Sequence, residues 1–174
     1  MRRRKFSNTR VTFFYGIKAQ EKNQEDENDW WPNDFKEVIV KNEQKGIIIE
    51  GWARQVLNLK YRAIGGLLTH CSWNYVLETL TIGVPLITWP LFSDNFYTEK
   101  LLEKLELAIG VGADVWNLGF IVSSPVVSRE NIELAIKSLM YDSEEIRKIR
   151  ANANLMAETL KSSTEEGGSS HRVD

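Results

Sequence analysis

Four short apolar runs, each next to a glycine and three followed by a helical pattern, constrain the fold more than any other feature. They occupy residues 46–50, 65–69, 84–88 and 107–111. Unbroken apolar runs of this length suit strands buried on both faces, as in a parallel sheet. Pro85 is compatible with this because it stands near a strand start. Residues 11–15 have the β-branched and aromatic makeup of a strand but lack clean alternation, so their state is ambiguous.

Helical periodicity fills the gaps. Residues 73–82 put Val76, Leu77 and Leu80 on one face. Residues 94–105 offer Tyr97, Leu101, Leu102 and Leu105 as a stripe to cover the core. From Arg129, Ile132, Ile136, Leu139 and Met140 recur at helical spacing, with Ser128 placed to cap. The last helix is expected to open on Asp142 and Glu145 in capping-box spacing and to bury Ile146, Ile149, Ala153, Met156 and Leu160. Strands alternating with helices predict an α/β domain, a Rossmann-like parallel sheet flanked by helices, over residues 46–164. Residues 165–174, rich in glycine and serine, read as a flexible tail. Residues 17–45 read as an acidic linker and approach segment, and 1–16 as a separate N-terminal segment.

Bulk properties narrow the function classes. The 174 residues suffice for one domain with its own core. With 22 basic and 24 acidic residues, the net charge of −2 provides no general attraction to nucleic acid or to a membrane surface. The basic cluster Arg2-Arg3-Arg4-Lys5 fits a solvated chain end. One cysteine, Cys71, rules out an internal disulfide and fits a reducing compartment. With two distant histidines, His70 and His171, it also gives no metal-ligand spacing, so no metal is expected. The apolar run over residues 82–92 is broken by Pro85 and Pro90 and is too short to span a bilayer, and the N-terminus has no signal-peptide pattern. The expected location is the cytoplasm.

In parallel α/β sheets, ligands bind where strands end and helices begin. Residues 70–74 and 89–95 hold that place after two of the runs. A helix starting near Trp73 aims free backbone N–H groups of Asn74 and Tyr75 outward, which suits phosphate. His70 and the Asn74 amide add donors, and Glu78 adds an acceptor for sugar hydroxyls. Asp94 and Asn95 form a second polar pair, and Trp52 is an aromatic plate that can stack on a base. Each also has a purely structural reading. A P-loop is absent, and the Gly110–Gly112 pair is followed by Val115 where a dinucleotide fingerprint needs its third glycine. A G-x-S-x-G elbow is absent too.

The motifs W-A-x-Q (Trp52 to Gln55), G-G-x-L-T-H-C-x-W-N (Gly65 to Asn74), Glu78, G-V-P (Gly83 to Pro85) and W-P-L-F-x-D (Trp89 to Asp94) resemble a known signature. It is the C-terminal sugar-nucleotide box of plant secondary-product UDP-glycosyltransferases. The resemblance extends to Trp31-Pro32 and to Glu165-Glu166-Gly167-Gly168-Ser169-Ser170. It implies the C-terminal domain of a GT-B glycosyltransferase. Such an enzyme transfers a sugar, here glucose from UDP-glucose, to a hydroxyl of a small plant metabolite.

Carried over by position, the resemblance implies that Trp52 stacks on uracil and that the Ala53 backbone reads its edge. Gln55 and Glu78 hold ribose hydroxyls. His70, Asn74 and the backbone around Tyr75 hold the diphosphate, and Trp73, Asp94 and Asn95 face the transferred sugar. UDP-sugar is a co-substrate, and no separate cofactor is implied. The catalytic base is a histidine of the family's N-terminal domain, so no catalytic residue is assigned here, and acceptor binding requires that domain. The chain differs from the family pattern at Arg54, at Tyr61-Arg62, at Ser72 (glycine in the family), at Tyr75 (serine) and at Asn95 (glutamine). These changes imply weaker donor binding and leave an alternative, a non-catalytic UDP-sugar-binding module or pseudoenzyme.

Overall fold

The computed structural model describes residues 13–17, 46–50, 53–113 and 127–171. The chain divides into two units, Met1–Gln55 and Val56–Asp174. In the first, β1 (Phe13–Ile17) and β2 (Gly46–Glu50) pair in parallel, with Phe13 opposite Gly46 and Ile17 opposite Glu50. The ambiguous N-terminal run is thus a strand, shifted two residues toward the C-terminus. The acidic stretch over residues 18–45 and Trp52 lie outside the described residues.

A short helix, α1 (Gln55–Leu59), precedes the second unit's sheet. At five residues it is too short for periodicity to reveal. Then follow β3 (Leu67–Thr69), α2 (Trp73–Leu80), β4 (Leu86–Thr88), α3 (Asn95–Lys104) and β5 (Ala108–Gly110). Two longer helices, α4 (Arg129–Met140) and α5 (Glu144–Thr164), complete it. The three strands are parallel in the order β3-β4-β5, with Thr69 opposite Thr88 and Thr88 opposite Gly110. Three of the four sequence runs become this sheet, and β4 at its centre is wholly buried.

Strand alternation divides the core in two. On one side of β4, Leu86 packs with Val76, Leu80, Leu102, Leu107 and Ala153. On the other, Ile87 packs with Val111, Ala135, Leu139, Ile146 and Ile149. Helix α5 serves both, through Ile146 and Ile149 near its start and Ala153 one turn on. Gly66 lets α4 approach the sheet, because a Cβ there would lie 2.2 Å from Leu139 Cδ2. Arg150 links the same elements, donating to Gly65 O (3.0 Å) and Leu139 O (2.9 Å).

Two local expectations need correcting. Ser143, not Asp142, caps α5, accepting from Ile146 N at 3.2 Å. Asp142 instead takes both Nε and Nη2 of Arg147, at 2.7 and 2.9 Å. A bidentate guanidinium contact satisfies its carboxylate and leaves the cap to the neighbouring hydroxyl. On α3 the expected apolar stripe faces outward at Tyr97, Leu101 and Leu105, and the buried face is Asn95, Thr98, Glu99 and Leu102. Polar partners at the strand ends select that face, as described below. Beyond α5, residues 165–171 form hydrogen-bonded turns, Gly168 N donating to Glu165 O (2.8 Å) and Ser170 N to Ser163 O (2.9 Å).

Candidate functional site

Parallel strands end on the same edge of the sheet, so the exits of β3 and β4 are neighbours. Trp89 N donates to Thr69 O at 2.8 Å, carrying the ladder one step beyond the strands. Each exit then turns through a non-glycine residue with positive φ, Cys71 at 70° in the first and Ser93 at 50° in the second. Such conformations cost about 1–3 kcal/mol each and persist only where neighbours enforce them.

At Cys71 the enforcement is visible. The side chain is fully buried, its N–H donates to Thr69 Oγ1 at 3.2 Å, and its Sγ lies 3.7 Å from Thr69 O. Burial, reinforced by the Glu99 carboxylate, pushes the thiol up to about 12. A thiol held protonated is neither a nucleophile nor a metal ligand. Cys71 is a structural plug beneath the turn.

The turn delivers the chain to α2. Ser72 occupies the N-cap position in extended conformation (φ −60°, ψ 132°), yet its hydroxyl caps nothing. Val76 N donates to Ser72 O at 3.1 Å, whereas the preceding N–H groups of Trp73, Asn74 and Tyr75 have no acceptor among the described residues. The first turn of a helix carries partial positive charge as well as these unmet donors. Around them Trp73 (47% exposed), Tyr75 (45%), Asn74 and Glu78 all reach solvent. The His70 ring lies edge-on to Tyr75, centroids 5.6 Å apart and planes at 70°. Glu78 stands one turn from Asn74 on the same helix face.

The β4 exit is built differently. Asp94 is exposed at the start of α3 and makes no side-chain cap; its carbonyl accepts from Thr98 N (3.0 Å) and Thr98 Oγ1 (3.2 Å). Asn95, expected to face a sugar, is only 3% exposed. With its amide nitrogen turned toward the two neighbouring carbonyls, it donates to His70 O at 3.0 Å and Phe92 O at 3.1 Å. The opposite orientation would set oxygen against oxygen. One helical turn on, buried Glu99 accepts from Thr88 Oγ1 at 2.7 Å. Sequence reasoning missed this bond, although Asn95, Thr98, Glu99 and Leu102 at i, i+3, i+4 and i+7 are the signal of one helix face.

Second-unit residues His70, Trp73, Asn74, Tyr75 and Glu78 therefore gather at one exit, with Asp94 exposed at the next and Asn95 withdrawn. Ala53 and Gln55 belong to the first unit. Ala53 is half-buried, and Gln55 Nε2 is buried with no hydrogen-bond partner among the described residues. A donor left in that state costs about 1–3 kcal/mol until something accepts from it.

Comparison with known proteins places this arrangement. Residues 34–143 match the family profile described as UDP-glucoronosyl and UDP-glucosyl transferase. A nuatigenin 3-beta-glucosyltransferase from Solanum aculeatissimum is 49% identical over 138 residues, which is 78% of this chain and 28% of that protein. Among solved structures, Glycyrrhiza uralensis UGT73P12 complexed with glycyrrhetinic acid 3-O-monoglucuronide superposes with a TM-score of 0.73 at 35% identity, over 80% of this chain and 29% of that one. Medicago truncatula UGT71G1 complexed with UDP-glucose gives 0.70 at 31%, over 91% and 31%. The chain thus spans under a third of the length of these relatives. The parallel sheet with flanking helices has the α/β character expected of a GT-B donor half. A profile match over most of the chain, with these structural neighbours, shows that the chain belongs to the UDP-glucoronosyl and UDP-glucosyl transferase family.

Proposed function

We propose that this chain is the donor-binding part of a UDP-dependent glycosyltransferase that takes UDP-glucose and serves a small plant metabolite as acceptor. The observation that carries this reading is the β3 exit, where three first-turn N–H groups of α2 have no acceptor among the described residues and exposed Asn74 stands beside a ring-packed His70. An incoming diphosphate meets the positive end of a helix and donors whose geometry is already fixed. In the transfer, the acceptor oxygen bonds to the anomeric carbon as the bond to the diphosphate oxygen breaks. The electron pair leaves with UDP and the acceptor proton goes to a base. Donors preset around the leaving diphosphate stabilise the charge that develops there.

In this reading Trp73 and Asp94 meet the sugar, Glu78 and Gln55 take ribose hydroxyls, and Trp52 with Ala53 binds the base. The base is assigned to the family's N-terminal domain and not to His70, which this reading places on the diphosphate. Among the described residues no helix is long and apolar enough to cross a bilayer. We assign the protein to the cytoplasm, where Cys71 stays a thiol.

Calorimetric titration of the chain with UDP tests the proposal. Saturable heat is expected. No heat at millimolar UDP would overturn it, and heat without any transfer in the presence of an N-terminal domain would favour the non-catalytic binding module.

A further inference from the structure

We infer that Asn95 is a positioning residue that locks the two strand-exit loops together, and that it does not contact the donor sugar. This rests on the UDP-sugar reading of the β3 exit and departs from the role that sequence position implies for residue 95.

Three observations carry it. Asn95 is 3% exposed although it opens a helix beside two solvent-facing turns. Its amide nitrogen has both hydrogens directed at carbonyls, His70 O in the β3 exit and Phe92 O in the β4 exit. Asn95 N also donates to Phe92 O, at 3.2 Å, so that carbonyl is held twice by one residue. The Glu99 bond to Thr88 fixes the same helix face one turn further in, which leaves Asn95 little room to swing outward.

The consequence for binding is indirect. His70 directly precedes the left-handed residue Cys71, so the carbonyl that Asn95 holds belongs to the peptide that launches the turn into α2. Releasing it frees the turn that aims the first-turn N–H groups. Those groups meet the diphosphate and not the sugar. Loss of the Asn95 amide should therefore weaken UDP and UDP-glucose alike. A sugar ligand would behave otherwise, its loss being felt only by UDP-glucose.

The test uses Asn95→Ala and Asn95→Gln, each titrated with UDP and with UDP-glucose and each melted without ligand. For Asn95→Ala we expect about 10-fold weaker binding of both ligands, equivalent to about 1.4 kcal/mol, together with a lowered melting temperature. Asn95→Gln, whose longer side chain cannot fill the same enclosed position, should also lose affinity for both. Two results would overturn the inference: tighter UDP-glucose binding by Asn95→Gln with UDP unchanged, or a loss in Asn95→Ala confined to UDP-glucose. Should the unsubstituted chain bind neither ligand, the proposed function fails instead. The tie is then still read from the melts, and an unchanged melting temperature in Asn95→Ala refutes it.

Discussion

The two strand exits share a plan and differ in finish. Both follow a buried threonine, both turn through a left-handed non-glycine residue, and both enter a helix whose N-cap side chain caps nothing. At the β3 exit the helix presents Trp73, Asn74, Tyr75 and Glu78 to solvent, and its first donors have no acceptor among the described residues. At the β4 exit the corresponding helix turns Asn95, Thr98 and Glu99 inward and spends their hydrogen bonds on the scaffold. One exit turns its polar side chains outward, and the other turns them into the scaffold. Polar residues at a sheet's ligand-binding edge are thus not interchangeable markers of a site.

Removing what lies beneath both exits should erase the contrast. Leu86→Ala empties the centre of the sheet and is expected to cost about 2–5 kcal/mol in denaturant unfolding, with UDP binding falling alongside. Separating the exits is more telling. Asn74→Ala should lower UDP affinity by about 1.5–3 kcal/mol, the range for a hydrogen bond to a charged group. Its unfolding midpoint should barely move, because the residue is exposed. Glu99→Leu should do the reverse, costing about 1–3 kcal/mol of stability by leaving the Thr88 hydroxyl only its longer, 3.4 Å bond to Ile109 O. Calorimetry and denaturant melts on the same two variants would show whether the effects cross over as described.

The smaller effects sharpen the receiving exit. Ser72→Gly with Tyr75→Ser restores a hydroxyl beside the first-turn donors, and UDP binding is expected to tighten by at most about 1.5 kcal/mol. Unchanged affinity would show that the Tyr75 ring does not crowd the anion. Cys71 provides a pH signature. Its native thiol is raised to about 12 by burial, whereas the unfolded thiol ionises near its ordinary value of 9.0. A raised pKa favours the fold below that ordinary value, and the advantage is lost as pH rises from about 9 toward 12. Unfolding midpoints of the unsubstituted chain and of Cys71→Ala should therefore converge over that window.

Much of this was legible in the sequence, and the failures have physical causes. The three strands of the second unit were visible because a central parallel strand leaves no polar face to blur its apolar run, as Leu86 and Ile87 show. Helices α4 and α5 were visible because Ile132, Leu139, Ile146 and Ile149 bury at strict helical spacing. The face of α3 was misjudged because periodicity counts apolar residues, and the core it meets at the strand end is polar: Thr88 draws Glu99 inward, and two backbone carbonyls draw Asn95. Tyr97, Leu101 and Leu105 are exposed in consequence. The residues expected at the β3 exit are found there because backbone donors at a helix start follow from topology alone. The inward turn of Asn95 depends on two carbonyls brought together from residues 70 and 92, a coincidence of folding that no local pattern encodes.

The most direct test of the central claim is an amide NMR titration of the chain with UDP. The account predicts that the resonances of Trp73, Asn74 and Tyr75 move first and furthest, and that they shift little when uridine without phosphate is added. Equal shifts with uridine, or UDP shifts that bypass these three amides, would contradict it.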